Sequence, residues 1–205
     1  MAKLHVGFFT AFLVFVCGMA AAQADRTDPV SWVHYNQEIR VADLPLLTAP
    51  SADPSTVLAT ALKTIVQCKN LCRPRDSALE EAALTGPQSL RDLSAALQGG
   101  HFWSDHPQAI RAGYAAQGAI DPGFILTALL DHNPAMIEWK SHFYIVYGAI
   151  YDETLHYSGR REYAIHKFLL LDPRFSGDQR QAEFNRDTDD WGTIQGLMTL
   201  TVDRH

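Results

Sequence analysis

Cysteine is scarce in this chain: three in 205 residues, at positions 17, 68 and 72. Clustered positive charge is also missing. Seventeen Lys and Arg face 23 Asp and Glu, giving a formal net charge of −6. The basic residues are scattered, which argues against a nucleic-acid partner. Beyond the first residues there is no apolar run long enough to cross a membrane. Internal repeats are lacking, and the one biased stretch is the polar Ser176 to Asp190 region.

The apolar run that does exist comes first. Lys3 supplies a positive start, Val6 to Val16 is almost wholly apolar, and Ala22-Gln23-Ala24 is a small-x-small cleavage site. The reading is a signal peptide over residues 1–24, with a single domain over 25–205 that is secreted or periplasmic. The mature chain then has 181 residues, enough for a core, and one positive charge fewer, −7. The residues before Cys17 (Val14-Phe15-Val16) are not the small ones that a lipid-anchor site prefers. Only Cys68 and Cys72 survive removal of the leader. In an oxidising compartment they suit a disulfide, and the alternative is one reactive thiol beside a bystander.

Asp25 to Ser51 reads as an extended arm with a strand-like piece near Glu38 to Leu47. Asp53-Pro54-Ser55 is a helix-start signal, and Val57, Leu58, Ala61, Leu62, Ile65 and Val66 follow as one apolar face. Further helices are expected over Ser77 to Leu84, Ser89 to Leu97 and Pro122 to Leu130, with Phe102 to Gly118 irregular. From Ala135 the composition turns to Tyr, Phe, Ile and Val. Ala135 to Trp139, Phe143 to Tyr151, Tyr163 to Leu171 and Ile194 to Val202 are strand candidates. Helices first and strands later is the α+β pattern: a helical N-terminal half followed by an antiparallel sheet.

Two of those strands carry residues suited to acid–base work. His142 opens one and Asp172 closes the next. Across a hairpin such a pair can meet, and a carboxylate that orients an imidazole is the core of nucleophilic catalysis. The bland readings are a strand-edge histidine and an Asp-Pro strand stop. Glu138 sits just before the histidine strand, where it pairs with Lys140, faces solvent or tunes His142. His101, Asp105 and His106 cluster but fit no strong zinc spacing, so no metal and no cofactor is implied. His156 reads as a surface residue, and His166 shares a strand face with Phe168 and Leu170. Trp103, Trp139 and Trp191 fill a core or line a cleft. Arg174 to Asp190 reads as a solvated loop, with a lid as the alternative.

Three stretches together resemble papain-like cysteine peptidases of the bacteriocin-processing-peptidase-like group. Asn133-Pro134-Ala135-Met136-Ile137 looks like that family's strand before the histidine, Ser141-His142-Phe143-Tyr144-Ile145-Val146-Tyr147-Gly148 like its histidine strand, and Leu171-Asp172-Pro173 like its acid. The resemblance covers roughly Leu44 to Pro173 and implies a papain-like fold. It also implies a cysteine at the head of the first long helix and a Gln shortly before it. Here the cysteine position falls on Val57, or on Ser55 with a two-residue slip, and Ala49 to Thr56 contains no Gln. Valine has no nucleophilic chemistry, and serine lacks the easily formed thiolate. What the resemblance implies is therefore a degenerate peptidase-like protein that binds peptide or protein in the former cleft. An alternative is an active thiol hydrolase using Cys72, His142 and Asp172, with Gln67 five residues before Cys72 and acyl transfer through a thioester. The third reading is a partner-binding envelope protein, in which His142 and Asp172 lie apart. The oligomeric state is not written in the sequence.

Overall fold

The computed structural model describes residues 28–42, 44–68, 87–97, 101–103 and 106–204, with side chains for all of these except 101–110 and 202–204. The leader, Cys72 and the expected Ser77 to Leu84 helix lie outside the described residues. The chain is α+β. In order, it forms β1 (Val30–Arg40), α1 (Pro54–Cys68), α2 (Leu90–Leu97), β2 (His101–Trp103), β3 (His106–Ala116), α3 (Pro122–Leu130), β4 (Ala135–Trp139), β5 (His142–His156), β6 (Arg161–Leu171), β7 (Gln181–Asn185) and β8 (Ile194–Arg204).

Each helix begins where its sequence dictates. The Asp53 carboxylate accepts from the Thr56 backbone N–H at 3.3 Å. Ser89 Oγ accepts from the Asp92 N–H at 3.1 Å, and Asp121 accepts from the Gly123 N–H at 2.8 Å with Pro122 in the first turn. These bonds satisfy donors that a helix start leaves unpaired.

All strand pairings are antiparallel, in the order β2-β3-β8-β4-β5-β6-β7. β1 pairs with the far half of β5, so β4 and β1 lie end to end along the same side of β5. The sheet is covered on both faces. On one, α1 and α2 bury Val57, Leu58, Leu62, Ile65, Leu90 and Leu93 against Phe143, Ile145, Leu171 and Met198. On the other, Ile125, Leu126 and Leu129 of α3 pack on Tyr144, Val146, Phe168 and Leu197. Coverage on both faces explains why β4, β5 and β6 read as apolar runs rather than alternations.

The N-terminal half is not purely helical, since it supplies β1, β2 and β3 to the sheet. The first described strand is Val30–Arg40 rather than a piece near Glu38 to Leu47, because Trp32, Val33 and Tyr35 are the β-prone residues and the extension of β5 gives them a partner. The expected irregular stretch at 102–118 is mostly β2 and β3. Ala109, Ala112, Gly113, Ala115 and Ala116 carry almost no strand propensity, so β3 owes its structure to pairing with β8. The supposed loop after Arg174 contains β7, whose Ala182 and Phe184 alternate with polar residues and whose Phe184 is fully buried. His156 is not at the surface. It is buried, with Nδ1 2.8 Å from the Asp28 carbonyl oxygen.

β1 crosses β5 at Gly148. A Cβ there would stand 2.7 Å from the Ile39 carbonyl oxygen and 3.0 Å from Leu169 Cδ1. Gly148→Ala is expected to destabilise the protein by about 1–3 kcal/mol in urea denaturation. Amide hydrogen exchange should rise in β1 more than in β4.

Candidate functional site

The β4–β5 hairpin sets the position of His142. Trp139 pairs with His142 across a two-residue connection, Lys140-Ser141, and both connecting residues have positive φ (51° and 59°). This is the hand that two-residue hairpins prefer, and it is usually built from Asn and Gly. For a residue with a side chain the left-handed conformation costs roughly 1–2 kcal/mol. Tertiary contacts hold it. The Ser141 N–H donates to Gln195 Oε1 at 3.0 Å. Lys140 Nζ lies 3.3 Å from Asp189 Oδ1 and 3.8 Å from the centre of the Trp139 ring. Beneath the turn, Trp139 stands edge-on to Phe184, which stacks on Trp191 at 4.5 Å. Trp139 and Trp191 are therefore part of a core wall.

Asp172 follows β6 and is buried. Its N–H donates to the Arg180 carbonyl at 2.8 Å. Arg180, itself buried, donates from Nε to the Phe175 carbonyl at 3.0 Å and from Nη2 to Thr48 Oγ1. The Ala49 N–H donates to the Pro173 carbonyl at 2.7 Å. The turn after β6 is thus tied to the segment that leads into α1.

His142 and Asp172 are brought together, but not into contact, because Arg174 lies between them. Its Nε is 2.9 Å and 3.1 Å from the two Asp172 carboxylate oxygens, and its Nη2 is 2.5 Å from Oδ2. Its Nη1 is 2.8 Å from His142 Nδ1. A guanidinium only donates, so Nδ1 of this ring accepts and the ring proton sits on Nε2. A catalytic histidine needs the opposite arrangement: its Nδ1–H donates to the acid, and Nε2 keeps the lone pair that takes a proton. Hydrogen bonding to Asp172 raises the Arg174 pKa above its ordinary value against the opposing effect of burial. Tyr144, on the same face, has its hydroxyl pKa raised by burial and by the Asp172 charge, partly offset by Arg174.

The other candidates fall elsewhere. Phe143 and Ile145 belong to the α1 face, whereas Tyr144 and Trp139 belong to the opposite one. Strand alternation and its pairing with Trp139 put His142 on the face away from α1. Val57 is buried, and the Ser55 hydroxyl donates to the Asp53 carboxylate. Cys72 lies outside the described residues, as does any bond from it to Cys68, whose Sγ is 3.7 Å from the Ala42 carbonyl oxygen. Glu138 does not pair with Lys140. It lies opposite Phe143 on the α1 side, away from His142, with no partner among the described residues, and burial raises its pKa. His166 pairs with Asp152 at 3.0 Å. Among the described residues no cluster suits a metal ion. Arg174 is the residue that sequence reading missed. Its signal was Asp172-Pro173 ahead of Arg174: an Asp that opens a turn accepts from the N–H two residues on, here Arg174 N–H to Asp172 Oδ1 at 3.0 Å, which folds the arginine back onto the carboxylate.

No family model and no curated protein matches the sequence. Among solved structures, UfSP from C. elegans overlaps 83% of this chain at 12% identity with a TM-score of 0.48, and the overlap covers 35% of that chain. The present chain thus spans about a third of that protein's length. A TM-score below 0.5 at this identity does not establish a shared fold.

Removing one partner of a buried ion pair leaves the other charge unmatched. Arg174→Ala should lower stability by on the order of 3 kcal/mol in denaturant titration, and Arg174→Lys should restore little, because an ammonium cannot bridge both groups. Glu138 supplies a pH test. Its raised folded-state pKa means that the folded form holds this proton more tightly than the unfolded chain. Its contribution therefore weakens stability as pH rises through that pKa. Glu138→Gln should be more stable than the parent near pH 7, and the difference should shrink as pH falls and vanish well below about pH 4, where the carboxyl is protonated in both states.

Proposed function

We propose that this is an exported, papain-like protein of cysteine-peptidase descent whose site binds peptide or protein ligands without cleaving them. The observation that carries this reading is the position of Arg174. By donating to His142 and occupying both oxygens of Asp172, it turns a would-be base into a fixed hydrogen-bond donor. A donor suits capture of a peptide carbonyl, whereas proton abstraction from a nucleophile needs the lone pair. Val57 in place of a thiol at the head of α1, and the placement of His142 on the opposite sheet face, support the same reading.

The test is made on the secreted mature protein. An alkylating probe without reductant should label neither Cys68 nor Cys72 rapidly, and fluorogenic peptides should be hydrolysed no faster than background. A capped peptide found to bind by calorimetry should lose affinity with His142→Ala. Fast labelling of Cys72 that collapses in His142→Ala would replace this reading with an active hydrolase using Cys72, His142 and Asp172.

A further inference from the structure

A cleft of about 340 Å³ opens on the α3 side of the sheet, over β3 and β8, away from the His142 hairpin. Its size falls at the lower end of the ~300–1,000 Å³ range of small-molecule sites. The floor is made of very small or apolar residues: Gly113, Ala115 and Leu197, with Ala119 beside them. Glycine inside a strand carries an entropic penalty and often marks a place where another group approaches the backbone closely. Gly113 has no positive φ to explain it. What it leaves open is the space beside Thr199, since a Cβ at Gly113 would come within 3.2 Å of Thr199 Oγ1.

Two further observations point to a ligand. Thr199 is only 8% exposed and lines this cleft, and its hydroxyl, which accepts or donates no hydrogen bond among the described residues, reaches solvent there. The hydroxyl is thus free of protein partners and open to the cleft, where a polar group of a ligand can take the place of water. On the opposite wall Phe124, in the first turn of α3, is 55% exposed although it is a large aromatic. A flat floor, an aromatic wall and one hydroxyl are complementary to a ring with a single polar substituent. Asp121 at the rim, whose Oδ1 accepts from the Gly123 N–H, disfavours an acidic ligand.

We infer that the cleft between Gly113, Thr199 and Phe124 binds a neutral aromatic ring bearing one hydroxyl-type group, with the ring against Phe124 and the polar group on Thr199 Oγ1. The ring arrives either as a free phenol or as a tyrosine side chain of a peptide. This site is independent of the His142 reading. The test is titration of methyl-labelled full-length mature protein with p-cresol, toluene and N-acetyl-tyrosinamide, following the methyl resonances of Ala115, Ala119 and Leu197.

p-Cresol should shift all three and bind more tightly than toluene. Thr199→Val should weaken p-cresol roughly three- to tenfold, the worth of one hydrogen bond, and leave toluene unchanged. Gly113→Val, which fills the floor with a β-prone residue, should abolish both, and Phe124→Ala should weaken both. Binding of N-acetyl-tyrosinamide alongside p-cresol supports the proposal with a peptide source, and exclusion of it supports a free phenol. Absence of shifts in the parent protein, equal affinity for p-cresol and toluene, or indifference of p-cresol to Thr199→Val overturns it.

Discussion

The pairing of β5 places the strands at the centre of the described structure. This strand is hydrogen-bonded along one side by β6 and along the other by β4 and then β1. Its side chains are buried on both faces, Phe143 and Ile145 beneath α1 and Tyr144 and Val146 on the α3 side. A one-residue slip would exchange those faces wholesale, so register is fixed by two cores at once. The same constraint sets His142 at one end of the strand and His156 at the other, and it brings the end of β6, with Asp172, beside the start of β5.

Against that frame, the polarity of the site is decided by one guanidinium. Asp172 is buried and needs a partner, and Arg174, two residues on, is the nearest cation. Once the carboxylate is satisfied in this way, nothing of it remains to orient an imidazole. The histidine then takes its tautomer from the arginine instead. A site laid out like a His–Asp pair thus ends as a neutral ion pair with an outward-facing donor.

The helices and the central strands were legible in the sequence because their signals are local. Val57 through Val66 recur on one helical face, Asp121-Pro122 marks a helix start, and β4, β5 and β6 are dense in β-prone apolar residues. β3 was not legible, since a run of Ala and Gly acquires strand structure only from its neighbour. The alternation in β7 was present but short and embedded in charge. Within the site, the proximity of His142 and Asp172 followed from strand order. The intervention of Arg174 did not, because charge-rich segments after a strand usually face water and only the burial of Asp172 draws this one in. The burial of His156 likewise depends on Asp28, far away in sequence.

β1 is held by a single neighbouring strand. None of its residues is buried, and among the described residues its cross-strand hydrogen bonds go to β5, so that Asn36 meets Asp152 across 116 residues of chain. β1 is therefore a strand whose local opening uncovers little apolar surface while the β4–β5–β6 meander keeps its own contacts, so it exchanges with solvent independently of both cores.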